Sequence, residues 1–277
     1  MAISAEFALC LNSPVLPQPQ IWLCPTDRPL IPGYQALLSS EEMARGERYQ
    51  RPQDKQRFLT MRLALRILLA RQLDCLPQQL QFTYGPQGKP ELVDRERRSP
   101  WFNVAHSGNY GLIGLSTEGE IGVDLQIMLP KPHYLKLAKR FFAPQEVQQL
   151  ESLEGEKRTK LFYQLWTAKE AFLKATGKGI SGGLNQVIPD ENLAKYQYLP
   201  DSGDTNHWRL SSQPLLADQG SNDNYWMAIA WCTNEVNQVE SNYLPNIQPF
   251  QWPRNLHSLP SFRYLGKGEF QHTGGRY

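Results

Sequence analysis

Apolar positions in the stretch Phe162–Gly179, FYQLWTAKEAFLKATGKG, recur at the helical period. Phe162, Leu165, Phe172 and Leu173 share one face, which should bury. Lys169, Glu170 and Lys174 fall on the opposite face, with Glu170 and Lys174 stacked one turn apart, and Gly177 and Gly179 supply the stop. The spacing of Glu170 and Lys174 is also that of a solvated ion pair, worth only about 0.3–0.5 kcal/mol. A second long helix is predicted over Asp54–Leu73, opened by Pro52. Phe58, Met61, Leu65 and Leu68 form its stripe, and Leu63, Ile67 and Ala70 widen that stripe enough to bury more than one side.

Shorter apolar runs predict strands. They fall at Ile21–Cys24, Leu80–Tyr84, Phe102–Ala105, Gly111–Leu115 and Ile121–Leu125, the last three reading as consecutive antiparallel strands with a tight turn at Gly108-Asn109. Helices over 133–142 and 144–153 follow, and Tyr196–Leu199, Trp208–Ser211 and Trp226–Cys232 read as strands completing one further sheet. The loop 201–206 is polar. Residues 1–20, with Pro14, Pro17 and Pro19, have no period, and after about residue 240 prolines and aromatics again run without one. Both ends read as extensions, the second as an irregular arm, and no internal repeat is visible.

Composition narrows the class. With 40% apolar and 20% charged residues over 277 positions, the chain suits a soluble globular protein of one large or two small domains with a substantial core. A net charge of +2 excludes wholesale nucleic-acid binding, so any anion must be met by a local cluster. Cys10, Cys24, Cys75 and Cys232 show neither metal-ligand nor redox spacing and read as reduced thiols. Phe7–Leu11 is apolar but short, with no basic residue before it, and no run reaches membrane-spanning length. A cytoplasmic protein without membrane contact is the expectation.

Candidate chemistry collects in few places. Arg45, Arg48 and Arg51 read as one helix face, and Arg57, Arg62, Arg66 and Arg71 punctuate the next helix. Guanidinium forks fit phosphate oxygens, although a solvated basic face is the plainer account. Lys89 is presented by the turn Gly85-Pro86-Gln87-Gly88-Lys89-Pro90, and His106 and Ser107 end a strand. Asp124 is harder to dismiss, because a carboxylate inside Ile121-Gly122-Val123-Asp124-Leu125 is costly unless paired or bound to metal. Alternation puts Gly122, Asp124 and Gln126 on one strand face. Glu170 brought toward Asp124 makes an oxygen site for Mg²⁺ that phosphate oxygens would complete, with Lys169 and Lys174 beside it.

Three segments in this order and at these separations resemble the 4′-phosphopantetheinyl transferases, in particular the two-lobed, surfactin-synthetase-type enzymes. They are Gly88-Lys89-Pro90 followed by Phe102-Asn103-Val104-Ala105-His106-Ser107; Ile121-Gly122-Val123-Asp124; and Trp166 through Lys174. The likeness runs over about residues 21–235. It implies an α+β fold of two similar lobes with pseudo-twofold symmetry and the active site in the cleft between them. The corresponding division is an extension at 1–20, lobes at 21–119 and 120–240, and an arm at 241–277.

The resemblance also implies the reaction. The phosphopantetheine arm of coenzyme A passes to a serine of an apo acyl or peptidyl carrier protein, with release of adenosine 3′,5′-bisphosphate, in a monomer. Asp124 and Glu170 would hold Mg²⁺, Glu170 would help deprotonate the serine, and Lys174 would stabilise charge on the leaving phosphate. His106 and Lys89 would meet the 3′-phosphate of coenzyme A, Arg57 and Arg45 match cationic positions of the nucleotide site, and Lys169 has a structural or phosphate-facing role. Gln126 stands where many relatives have a third acidic ligand, and Ala105 where many have serine. The loss of an acid at 126 keeps open a second class, a catalytically weak or inactive coenzyme A or carrier-protein binding module.

Overall fold

The computed structural model describes residues 19–27, 30, 33–93, 99–129, 133–179, 183–198, 207–215, 224–233, 247–250, 262–266 and 269–272. The chain begins with strand β1 (Gln20–Pro25), then helices α1 (Ser40–Glu47) and α2 (Pro52–Leu73). A ribbon of β2 (Phe82–Tyr84) and β3 (Pro90–Leu92) leads to the hairpin β4 (Trp101–Ser107) and β5 (Tyr110–Ser116). The next strand, β6 (Ile121–Ile127), is followed by α3 (Tyr134–Phe141), α4 (Pro144–Glu151) and α5 (Gly155–Thr176). A ribbon of β7 (Ile188–Pro189) and β8 (Tyr196–Tyr198) then precedes β9 (Trp208–Leu215) and β10 (Tyr225–Cys232). Three late strands, β11 (Ile247–Pro249), β12 (Phe262–Gly266) and β13 (Glu269–His272), close the described chain.

The element order is the same twice. In each half a strand is followed by helices ending in one of 22 residues, then a two-stranded ribbon, then two long strands. The pairing repeats as well: β1-β5-β4 in one sheet and β6-β10-β9 in the other, all antiparallel.

Local chemistry sets the helices. Ser39 and Glu42 form a capping box at the start of α1, and Pro52 opens α2. Gly177, in the left-handed region at φ 70°, ends α5.

Packing makes four layers. Leu63, Leu65, Ile67 and Leu69 of α2 meet Phe102, Ile113 and Leu115 on the outer face of the first sheet. The inner face, Ile21, Ala105 and Leu112, packs on Ile121, Val123, Leu125, Met227 and Ile229 of the second sheet. On the far side Ala168, Ala171, Phe172 and Ala175 of α5 cover Ala228, Ala230 and Leu210. Helices α3 and α4 add an aromatic cluster around Phe142, Phe162 and Trp166 at the other end of α5.

Five expectations need correction. The strand at 121–125 does not continue the hairpin before it: β6 crosses to the second sheet and pairs with β10. The strand at 196–198 joins a separate ribbon with β7, not the main sheet. The side of α5 opposite its apolar face is not open around Glu170, since Thr167 through Leu173 are all buried. Arg45, Arg48 and Arg51 do not share one helix: α1 ends at Glu47, Arg48 caps it and Arg51 precedes Pro52. The arm after residue 240 is not wholly irregular, because Ile247–Pro249 adds a parallel strand beside β1 and Phe250 enters the first core. The loop 201–206 and residues 1–18 lie outside the described residues. Among the described residues Cys24 and Cys75 are free thiols, and no helix is long and apolar enough to cross a membrane.

Candidate active site

Two elements of the second half bring the carboxylates together. Positions Gly122, Asp124 and Gln126 alternate with the residues of the inter-sheet core and face away from it. At Gly122 the strand lies directly on the helix, for a Cβ there would stand 1.9 Å from the Ala171 carbonyl oxygen of α5. That close approach, open only to glycine, lets Asp124 reach the helix. Its Oδ1 lies 2.5 Å from Lys174 Nζ, with Asp124 1% exposed. Lys174 therefore pairs with Asp124 on β6; no ion pair links it to Glu170 one turn away among the described residues.

Glu170 is left short of partners. It is 7% exposed, its Oε1 is buried with no hydrogen-bond partner, and it forms no ion pair among the described residues. Burial, followed by the negative charge of Asp124, pushes its carboxyl up to about 7, against a smaller opposing pull from Lys174. Buried polar atoms without partners are rare, and this one lies beside a second carboxylate.

Its neighbour Lys169 is the opposite case. Its ammonium is fully buried, 2.8 Å from Glu146 Oε1, and donates to the Leu184 carbonyl at 3.0 Å and to the Val187 carbonyl. Two carbonyls accept its hydrogen bonds and one carboxylate pairs with its charge, so Lys169 ties α5 to α4 and to the segment before β7. The phosphate-facing expectation for Lys169 is overturned, and the structural one fits.

The first half supplies cations. Arg57 donates through Nε to the Gly108 carbonyl at 2.9 Å and through Nη1 to Asp54 at 2.8 Å, which holds it against the β4–β5 turn. His106, at the end of β4, is solvent-facing at its edge. The surrounding protein, and then the positive charges of Arg57 and Lys174, still hold its imidazole down to about 4. It is therefore neutral near pH 7. Lys89 bonds the Ala175 carbonyl in the last turn of α5, bringing its turn onto that helix. Arg45 lies over the rings of Phe58 and Tyr84, at 5.5 and 4.9 Å.

Two of the arginines read as anion-binding candidates are consumed internally. Arg66 contacts Glu42 at 2.7 Å and the carbonyls of Pro77 and Leu80, while Arg62 contacts Glu42 at 3.4 Å. Gln126 turns its Nε2 to Asp124 Oδ2 at 3.3 Å, so its nitrogen faces the carboxylate. Among the described residues no group of three or more His, Cys, Asp or Glu side chains is placed to hold a metal. The two carboxylates fit a hard divalent cation only with oxygens added from a substrate. Two structural partners escaped the sequence reading, Asn103 and Ser107, whose side chains accept from the backbone of β6. Their polar identity within a strand motif was the available signal.

Known proteins divide the chain at the same place as the repeated element order. Residues 25–118 match the family described as 4′-phosphopantetheinyl transferase, N-terminal, and residues 120–230 match the 4′-phosphopantetheinyl transferase superfamily. The chain is 99% identical over 246 residues to a Synechocystis protein named as a candidate 4′-phosphopantetheinyl transferase, slr0495, covering 89% of this chain and all of that one. It is 42% identical to the 4′-phosphopantetheinyl transferase HetI of Nostoc, over 58% of this chain and 69% of HetI. A 4′-phosphopantetheinyl transferase of Bacillus subtilis is 32% identical over 56% of this chain and 69% of its own. The matches span both halves and include the segments that carry Lys89, His106, Asp124 and Glu170, and the chain belongs to the 4′-phosphopantetheinyl transferases.

Proposed function

We propose that this enzyme transfers the 4′-phosphopantetheine group of coenzyme A to a serine of an apo acyl or peptidyl carrier protein in the cleft between its two halves. The halves, 21–119 and 120–240, would be lobes related by pseudo-twofold symmetry, a reading supported by their repeated strand order. The observation that carries the assignment is the pairing of Asp124 with an unsatisfied, buried Glu170 on the second half, facing cations of the first.

In this reading Arg57, His106 and Lys89 bind the 3′-phosphate and nucleotide, with Arg45 at the same side. Lys174 already lies against Asp124 and offers its ammonium to the diphosphate, where charge builds as adenosine 3′,5′-bisphosphate leaves. Glu170, held near 7, is partly ionised at neutral pH and takes the serine proton, directly or through a water. Mg²⁺, held by Asp124 and Glu170, would neutralise the diphosphate oxygens. Gln126 orients Asp124 through Nε2, and would become a ligand itself only with its amide reversed. The single-chain cleft favours a monomer, and the protein would act in the cytoplasm without membrane or nucleic acid.

The test is the mass of an apo acyl carrier protein incubated with the enzyme, coenzyme A and Mg²⁺. A gain of one phosphopantetheine group, abolished by chelator, is expected. Coenzyme A binding with no gain on any of several carriers would overturn transfer in favour of a binding module.

A further inference from the structure

Asn103 is buried in the middle of β4, and none of the roles above uses it. Its Oδ1 accepts from the Val123 N–H at 3.0 Å, and its Nδ2 reaches the Lys174 carbonyl at 3.5 Å. One amide of the first half thus touches the backbone directly before Asp124 and the backbone of Lys174 itself. Neither group has an obvious alternative. Among the described residues β6 pairs with β10 alone, and Lys174 lies in the last turn of α5, where carbonyls lack helical partners. Only an amide offers an acceptor and a donor from one short side chain; a carboxylate accepts without donating, and a hydroxyl is too short.

We propose that Asn103 is a positioning residue for the transfer, setting the separation between Asp124 on β6 and Lys174 on α5. Two neighbours frame this role. Ser107 Oγ accepts from the Ile127 N–H at 3.0 Å, so β4 holds β6 on both sides of Asp124. Lys89 takes the Ala175 carbonyl, so the first half grips two successive carbonyls of α5. Asn103 alone of the three joins the strand to the helix. The two reactive side chains meet at 2.5 Å, and a shift of an ångström between such groups costs on the order of 100-fold in rate.

The proposal rests on the transferase reading, and the experiment separates the two. Steady-state transfer to an apo carrier protein, the Kd of adenosine 3′,5′-bisphosphate and thermal unfolding are measured on the full chain and on Asn103→Ala, Asn103→Asp and Ser107→Ala. Asn103→Ala should lower kcat by roughly 100-fold, and Asn103→Asp, which keeps the acceptor and loses the donor, by about tenfold. Both should leave the Kd of adenosine 3′,5′-bisphosphate within about twofold, since its cationic contacts lie elsewhere. Ser107→Ala, which loses a β6 bond without touching α5, should lower stability while kcat stays within about threefold. An Asn103→Ala variant with kcat within threefold of an active wild type overturns this proposal alone. So does a kcat loss matched by equal losses in nucleotide binding and by the Ser107→Ala variant, which marks a structural role only. A wild-type chain that transfers nothing overturns the functional reading and this proposal with it.

Discussion

Helices α2 and α5 invite comparison. Each has 22 residues, follows the first strand of its half, packs on a sheet of the same strand order and buries charged side chains. On α2 the charges close on one another. Arg66 and Arg62 share Glu42, Arg66 takes two carbonyls besides, and Arg62 lies over the Phe82 ring at 5.0 Å. On α5 two adjacent residues part ways: Lys169 is saturated, while Glu170 keeps an unpartnered oxygen next to a second carboxylate. Burial is common to all of them, so burial alone does not mark the reactive group. An unbonded atom does not mark it either, since Glu42 Oε1, Arg62 Nη1 and Glu146 Oε1 also lack hydrogen bonds; Glu170 differs in having no ion pair among the described residues and a second carboxylate beside it.

The contrast can be broken from either side. Glu42→Ala leaves two buried guanidinium groups without their carboxylate. It should cost about 3–5 kcal/mol in urea unfolding while leaving transfer per folded molecule unchanged. Glu170→Gln should do the reverse, lowering kcat by roughly 10²–10³-fold in the carrier-mass assay with the fold intact. Gly122→Ala tests the close approach that brings Asp124 to α5. Its Cβ meets backbone, so β6 and α5 must separate, with about 1–3 kcal/mol lost on thermal unfolding and transfer reduced alongside. Smallest, Ser39→Ala removes the hydroxyl that caps α1 and orders Glu42, for about 1 kcal/mol of stability and no change in kcat.

Much of this was legible in the sequence because it rests on local periodicity. Alternation in 121–127 exposed Asp124 as a carboxylate in an apolar strand and put it on the face that meets α5. The long helices and their caps followed from apolar spacing, proline and glycine. What escaped depends on contacts between distant segments. Glu42 lies 24 residues before Arg66, and nothing local distinguishes a consumed arginine from one offered to phosphate. Lys169 looked exposed because α5 shows apolar periodicity on one side, yet Glu146 and two carbonyls enclose it from the other. The departure of β6 from its hairpin was hidden because both sheets accept the same alternating pattern. The parallel strand β11 is short and isolated, with its partner β1 more than 200 residues earlier.

If Glu170 is held for chemistry, the fold gives up stability to hold it, and its titration gives the sign. In the fold Glu170 keeps its proton up to about 7, against 4.5 for an ordinary carboxyl, so between these values the native state binds more protons than the unfolded one. Its contribution is therefore fully favourable below the unfolded value and lost as pH rises through 7, with a cost above that on the order of 3 kcal/mol. The most direct measurement is urea unfolding of Glu170→Gln against wild type at pH 8 and pH 5. A variant that is more stable at pH 8, with the advantage shrinking toward pH 5, is the predicted result. A variant less stable than wild type at both pH values would contradict the account, because the carboxylate would then be a structural partner like Glu42 and Glu146.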